Sequence, residues 1–299
     1  MMSGAAEIAA FSRSAPNALS FDLEDWFHIV GIPELEDAAR WSGFPSILEK
    51  YTLEILDDLD AFDVRATFFV LGWIAERFPD VIREVARRGH EIGSHSHMHR
   101  QVSEFDRAGF ADDLARSIDA IGECTDKKVR GFRAPSFSVV PGCEWVFDEL
   151  LDAGLDYDAS LFPIARAHGG YPCASEPHMQ IAPSGRTLFE LPMSTMRFAG
   201  KQIAFSGGGY LRLLPMSVIR AGFAQAEAEQ RPVVVYLHPR DFAADAPLPR
   251  MPFHRRFKSR VGVGGARQKF RALLSSYKFE TCAAIVDSAA QIGTPRRAS

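Results

Sequence analysis

Two short runs, RATFFVLG at residues 65–72 and PVVVYLHP at residues 232–239, carry apolar side chains at consecutive rather than alternate positions. A strand exposed on one face alternates apolar and polar residues; a strand covered on both faces has no such need. The runs therefore demand a sheet with helices packed over it, the layering of α/β folds with mainly parallel strands. The rest of the chain supplies that alternation. ALSFDL, HEIGS, KVRGFRAP, YDASLF and LFELPMS read as further strands. Between them, SILEKYTLEILDDLDAF places Ile47, Leu48, Tyr51, Ile55, Leu56 and Leu59 at helical spacing. PDVIREVARRG is a helix opened by proline and closed by Gly89. AGFADDLARSIDAIGEC, EWVFDELLDAGL and GARQKFRALLSSYKF are the later helices. The irregular stretch at residues 163–186 reads as a long loop, a place where function concentrates.

Polar residues gather where these strands end. Asp22, Glu24 and Asp25 follow the first, His95 and His99 the third, Arg133 ends the fourth, Asp158 lies in the fifth and His238 ends the last. Parallel strands of an α/β fold bring their C-terminal ends to one rim, so one cleft is expected to collect these groups. Any one of them alone is more simply a satisfied buried polar residue; so many strand ends together point to a site.

GHEIGSHSHMHR holds His90, His95, His97 and His99. On a strand the last three would share a face; on a helical turn His95 and His99 would pair and His97 would point elsewhere. A solvated polar loop is the plain alternative. Two neutral imidazoles with one carboxylate make a three-ligand divalent site that keeps a position open. A second carboxylate could then take a proton from water, and an opposed histidine could give one to a leaving group. FDLED, HSHMH and YLHP offer these parts.

The formal net charge of −4 and pI near 6.2 give no electrostatic case for nucleic acid. Cys124, Cys143, Cys173 and Cys282 are scattered without a C-x-x-C pair and fit a reducing compartment. The N-terminal stretch is a poor secretion signal and no run is long enough to span a membrane, so the expected location is the cytoplasm. One domain over residues 17–292 is expected, with loose tails at 1–16 and 293–299.

SFDLEDWFH, GHEIGSHSHMH, GFRAPSF, YDASLFP and VVYLHP occur in the order of the motifs of NodB-type polysaccharide deacetylases, carbohydrate esterase family 4. The resemblance runs from about Ala18 to the C-terminus. DLEDWFH and GGGY make it most similar to the deacetylases of exopolysaccharide (exosortase-associated) loci. It implies a distorted (β/α) barrel and metal-dependent removal of an acetyl group, expected as N-acetyl, from a sugar of a polysaccharide. The cytoplasmic location expected above points instead to a lipid-linked or oligosaccharide precursor of it as the substrate.

By position, the resemblance implies Asp22 as general base, Arg133 as the group orienting it and His238 as general acid held by Asp158. His95 and His99 match the metal-binding histidines, which leaves His97 out. The chain reads Asp22-Leu23-Glu24-Asp25 where the family commonly has adjacent aspartates, so Glu24 and Asp25 both stand as the carboxylate ligand. Zinc is the default ion, with cobalt, nickel or iron able to occupy such a set. Pro135, in the Arg133 turn, and Trp26 and Tyr210 are the expected sugar contacts, with His168 a weaker one. Ser94 and Ser96 are expected to hold the imidazoles, and His90 to pack at the strand start. The competing readings are an amidase of the same superfamily acting on a cyclic imide or ureide, an H-x-H metallohydrolase barrel, and a non-catalytic carbohydrate-binding barrel.

Overall fold

The computed structural model describes residues 16–165 and 169–293. His168 and the expected tails, apart from Pro16 and Gly293, lie outside the described residues. In chain order the strands are β1 (Asn17–Leu23), β2 (Thr67–Val70), β3 (Glu91–Ser94), β4 (Gly131–Phe132), β5 (Tyr157–Asp158), β6 (His178–Ile181), β7 (Thr187–Glu190), β8 (Thr195–Phe198), β9 (Lys201–Ala204), β10 (Val234–Leu237) and β11 (Phe279–Glu280). The helices are α1 (Leu48–Ala61), α2 (Gly72–Arg77), α3 (Pro79–Arg87), α4 (Arg107–Gly122), α5 (Trp145–Asp152), α6 (Gly208–Leu213), α7 (Met216–Ala228), α8 (Phe253–Arg260), α9 (Val263–Ser276) and α10 (Cys282–Gly293). Among the described residues no helix is long and apolar enough to cross a membrane.

The main sheet has nine strands in the order β10-β1-β2-β3-β4-β5-β7-β6, with β11 beside the start of β1. Every pairing in it is parallel except the β6–β7 edge. Strand alternation sorts its side chains to two faces. Leu19, Phe21, Leu23, Phe68 and Val70 face outward with α1 residues Leu48, Ile55 and Leu59. Phe21 stacks on Phe68 at 5.0 Å, and burying each ring contributes roughly 1.5–3 kcal/mol.

The intervening residues Ala18, Phe69, Tyr157, Phe189 and Tyr236 meet in a second cluster, together with Cys282, Ile285 and Val286 of α10. Side chains from β1, β2, β5, β7 and β10 can meet this way only if the sheet curls. The fold is thus the expected distorted barrel. Helix α10 plugs its lower end: Cys282 N donates to Thr67 Oγ1 at 2.7 Å and Ala283 N to Glu91 at 2.9 Å. Glycine at 131 is required inside, because a Cβ there would sit 2.0 Å from the Tyr157 ring.

The expected fourth and fifth strands shrink to two residues each. After Arg133 the chain turns at once into a 3-10 segment at Pro135–Phe137, where Ser136 and Phe137 take left-handed φ values of 57° and 54°. Part of the expected long loop forms β6, and the β8–β9 hairpin and α10 carry no signal that the sequence reading used.

His90 packs at the start of β3 as expected. It is fully buried, accepts from Ala66 N at 3.3 Å through Nδ1, and its Nε2 has no partner. Burial, with Arg65 nearby, pushes its pKa from 6.5 down to about 4. The folded state therefore binds fewer protons than the unfolded one between these values. Its contribution is fully present above pH 6.5 and is lost as pH falls, by about 2 kcal/mol at pH 5. His90→Gln removes this titration, so urea midpoints at pH 7 and pH 5 should differ less in the variant than in the parent. Equal acid sensitivity in both would mean that His90 is not the buried neutral group described.

Candidate active site

Asp22 and Glu24 lie at the top of β1, on the rim where the histidines after β3 also arrive. Glu24, His95 and His99 are all buried, and one ligand atom from each falls within 4.8 Å of the others. The segment carrying the histidines is neither strand nor helix. Ser96 and His99 adopt φ of 68° and 54°, and His99 N donates to Ser96 Oγ at 3.1 Å. Left-handed backbone at non-glycine residues is costly and persists where surrounding packing enforces it.

The donor set fits a divalent ion. His95 Nδ1 lies 2.7 Å from the Arg133 carbonyl, which only accepts, so Nδ1 donates and Nε2 keeps the lone pair. Burial holds the His95 pKa down at about 4, against the pull of Asp22, so the ring is neutral. Glu24 Oε2 comes within 2.7 Å of His99 Nε2 without the alignment of a hydrogen bond and has no other partner. Donors about 2.1 Å from one ion stand roughly 3.4 Å apart, which this cluster accommodates. Glu24 is also an anion: burial opposes its charge, but Arg240 and His99 outweigh burial and hold its pKa well below the ordinary value.

Beside this cluster Asp22 Oδ1 accepts from Arg133 Nη1 at 2.7 Å. Arg133 is fully buried, donates also to Ser20 Oγ and the Ala159 carbonyl, and lies over the Phe69 ring at 4.2 Å. Burial again opposes the carboxylate, yet Arg133, His95 and His238 together lower the Asp22 pKa. His238 Nε2 stands 3.7 Å from Asp22 Oδ2 and 3.2 Å from Glu24 Oε1. Asp22, Glu24, His95, His99 and His238 line a cavity of about 260 Å³ that also holds Ser136, Phe137 and Gly209, with Arg133 behind Asp22.

Residues 39–141 match the family model described as polysaccharide deacetylase. That stretch is similar to polysaccharide deacetylases. Residues 159–287 match a model described as a domain of unknown function. Over 86 residues the chain is 29% identical to a peptidoglycan-N-acetylglucosamine deacetylase of Bacillus cereus, covering 29% of this chain and 31% of that protein. Over another 86-residue alignment it is 36% identical to a chitooligosaccharide deacetylase of Sinorhizobium fredii, covering 28% and 40%. The chain thus spans well under half the length of these relatives. A Mycobacterium smegmatis protein assigned as a polysaccharide deacetylase shares the fold, with a TM-score of 0.66, 22% identity and 97% of each chain covered. An allantoinase shares it too, with a TM-score of 0.60, 18% identity and coverage of 94% and 91%. The deacetylase match holds His95, His99 and Arg133; Asp22 and Glu24 precede it, and His238 falls in the segment matched by the model of unknown function.

Several expected site residues stand elsewhere. Asp25 is turned away from the histidines: it caps the 3-10 helix Trp26–His28, accepting from Trp26 N at 2.8 Å, and takes further bonds from Ser46 Oγ and Ile47 N. Asp158 does not hold His238. Its carboxyl accepts from Ser160 Oγ and lies against Glu190, its cross-strand partner, where burial and the neighbouring acid leave Glu190 protonated, with its pKa well above the ordinary value. The partner of His238 is Asp241, three residues on, whose Oδ2 is 3.0 Å from Nδ1 and 2.9 Å from the His238 N–H that it also caps. A residue inside the same turn reaches the ring more directly than one on a separate strand.

Trp26 is buried in an aromatic cluster with Trp41 and Phe27 and donates to the Pro45 carbonyl. Pro135 is buried behind Ser136 and Phe137, which line the cavity, and Tyr210 packs against the inner core while Gly209 lines the cavity. His97 points toward α2, where a Cβ on Gly72 would meet its ring at 2.2 Å. Ser94 pairs with Ser117 rather than with an imidazole. HPRDF, expected from sequence to shape the cleft, brings Arg240 and Asp241 to the cavity. What sequence reasoning missed is Arg212, Arg255 and the part of Asp241 as partner of His238, for which H-P-R-D, a capping-box spacing, was the available signal.

Proposed function

We propose that the domain hydrolyses an acetamido group on a sugar of a polysaccharide or its precursor, with a divalent ion held by Glu24, His95 and His99. The observation that carries this reading is the convergence of that donor set with an Arg-held carboxylate and an Asp-held histidine in one cavity. When bound, the ion would polarise the acyl oxygen and acidify a water. Arg133 occupies Asp22 Oδ1, which leaves Oδ2 to take the proton of the attacking water. The water oxygen bonds to the acyl carbon. Asp241 holds the Nδ1–H of His238, so Nε2 is the atom that carries the proton to the departing nitrogen as the C–N bond breaks. Acetate and a free amine result.

Two imidazoles with a carboxylate favour zinc. Four unpaired cysteines support work in a reducing compartment, hence on a precursor in the cytoplasm. The test is acetate release from N-acetylglucosamine oligomers by protein stripped with chelator and reloaded separately with zinc, cobalt, nickel or iron. Release should vanish on stripping and return best with zinc. Release that is indifferent to chelator would discard the metal-dependent mechanism.

A further inference from the structure

Beyond the cavity just described opens a second groove of about 560 Å³. Arg212, Arg240 and Arg255 line both, so the two are continuous. Lys258, Arg260 and His254 complete its basic wall, and among the described residues no carboxylate lines it. Two of these cations are fixed by backbone rather than neutralised by acids. Arg255 donates to the Val30 and Gly31 carbonyls and Arg260 to those of Ala244 and Ala246, and among the described residues neither has an ion pair. Arg212 bonds three carbonyls at the end of α8 besides pairing with Asp241, and Arg240 pairs with Glu24 through Nη2 at 2.9 Å while its buried Nη1 has no partner among the described residues. Lys258 is exposed and has no ion pair among the described residues.

Carbonyl dipoles hold a guanidinium in place without cancelling its charge, so an incoming anion meets donors already positioned. We infer that the groove binds an oxyanion carried by the substrate beside the sugar to be deacetylated. Its source is either the phosphate that links a precursor sugar or the carboxylate of a uronic acid. This inference rests on the deacetylase reading for the meaning of the adjoining cavity, but the anion site itself is separately testable.

The probes are glucose 1-phosphate, glucuronate and glucose, none of which can be deacetylated, titrated calorimetrically into zinc-loaded protein and into its Lys258→Glu variant. One of the two anions should bind about tenfold more tightly than glucose, and which one does so names the source. Lys258→Glu should erase that preference while acetate release from a neutral oligomer stays unchanged. Equal binding of all three sugars, or a preference that survives Lys258→Glu, overturns the inference. An intact anion preference with no acetate release from any oligomer would instead count against the deacetylase reading and leave the groove standing.

Discussion

Asp22→Asn should lower kcat for acetate release by about a thousandfold while zinc content stays at the parental level. General-base catalysis contributes roughly 10²–10⁴ to rate, and an amide of the same shape has no proton affinity to contribute. Asp22 is outside the Glu24–His95–His99 set, so the ion should remain. The variant should be poorer in stability as well, because Arg133 is fully buried and Asp22 is its only ion-pair partner among the described residues. Removing one member of a buried pair costs about 3–5 kcal/mol. Asparagine still offers a carbonyl oxygen to Nη1, which places the expected loss below that range. A melting curve therefore has to accompany the kinetics. Loss of turnover in a folded, zinc-loaded variant supports Asp22 as base; full turnover under the same conditions moves that role to another group.

The layers of the fold were legible because burial on both faces leaves a mark in composition, and TFFV and VVYL carried it. The rim was legible for a related reason. A polar residue straight after such a run, as with His238, or buried near the end of a strand, as with Asp22, has no apolar explanation. What stayed hidden depended on partners distant in sequence or on backbone detail. The histidine segment fits neither a strand nor a helical turn, since two left-handed residues, Ser96 and His99, bring His95 and His99 together. Asp158 looked free in sequence because Glu190, its neighbour across the β5–β7 pairing, lies beyond a long irregular stretch. Arg212 and Arg255 reach the cavity from α6 and α8, which no periodicity announced. Asp25 and Glu24 could not be ranked by spacing, because the difference lies in which one the following helix uses as its cap.

That last distinction gives the second large effect. Glu24→Gln should weaken zinc binding by well over the roughly 10–100-fold that loss of an outer-shell partner costs, and acetate release should fall with it. The amide is neutral and offers zinc only a weakly donating carbonyl oxygen, so the anionic arm of the donor set is lost. Asp25→Ala should behave oppositely, keeping zinc but losing about 1–3 kcal/mol of stability, since Trp26 N and Ile47 N lose their acceptor and Ser46 its partner. Zinc content after dialysis separates the two variants, and thermal melting with and without zinc provides an independent reading. An ion that binds only the folded state stabilises it by RT ln(1 + L/Kd), where L is the free ion concentration, and so raises the melting temperature. The parent and Asp25→Ala should therefore show the zinc-induced rise, and Glu24→Gln should not. Were Asp25→Ala to lose the rise and Glu24→Gln to keep it, the ligand would be Asp25. The loop after β1 would then have to rearrange on binding, giving up its hold on Ser46 and the start of α1.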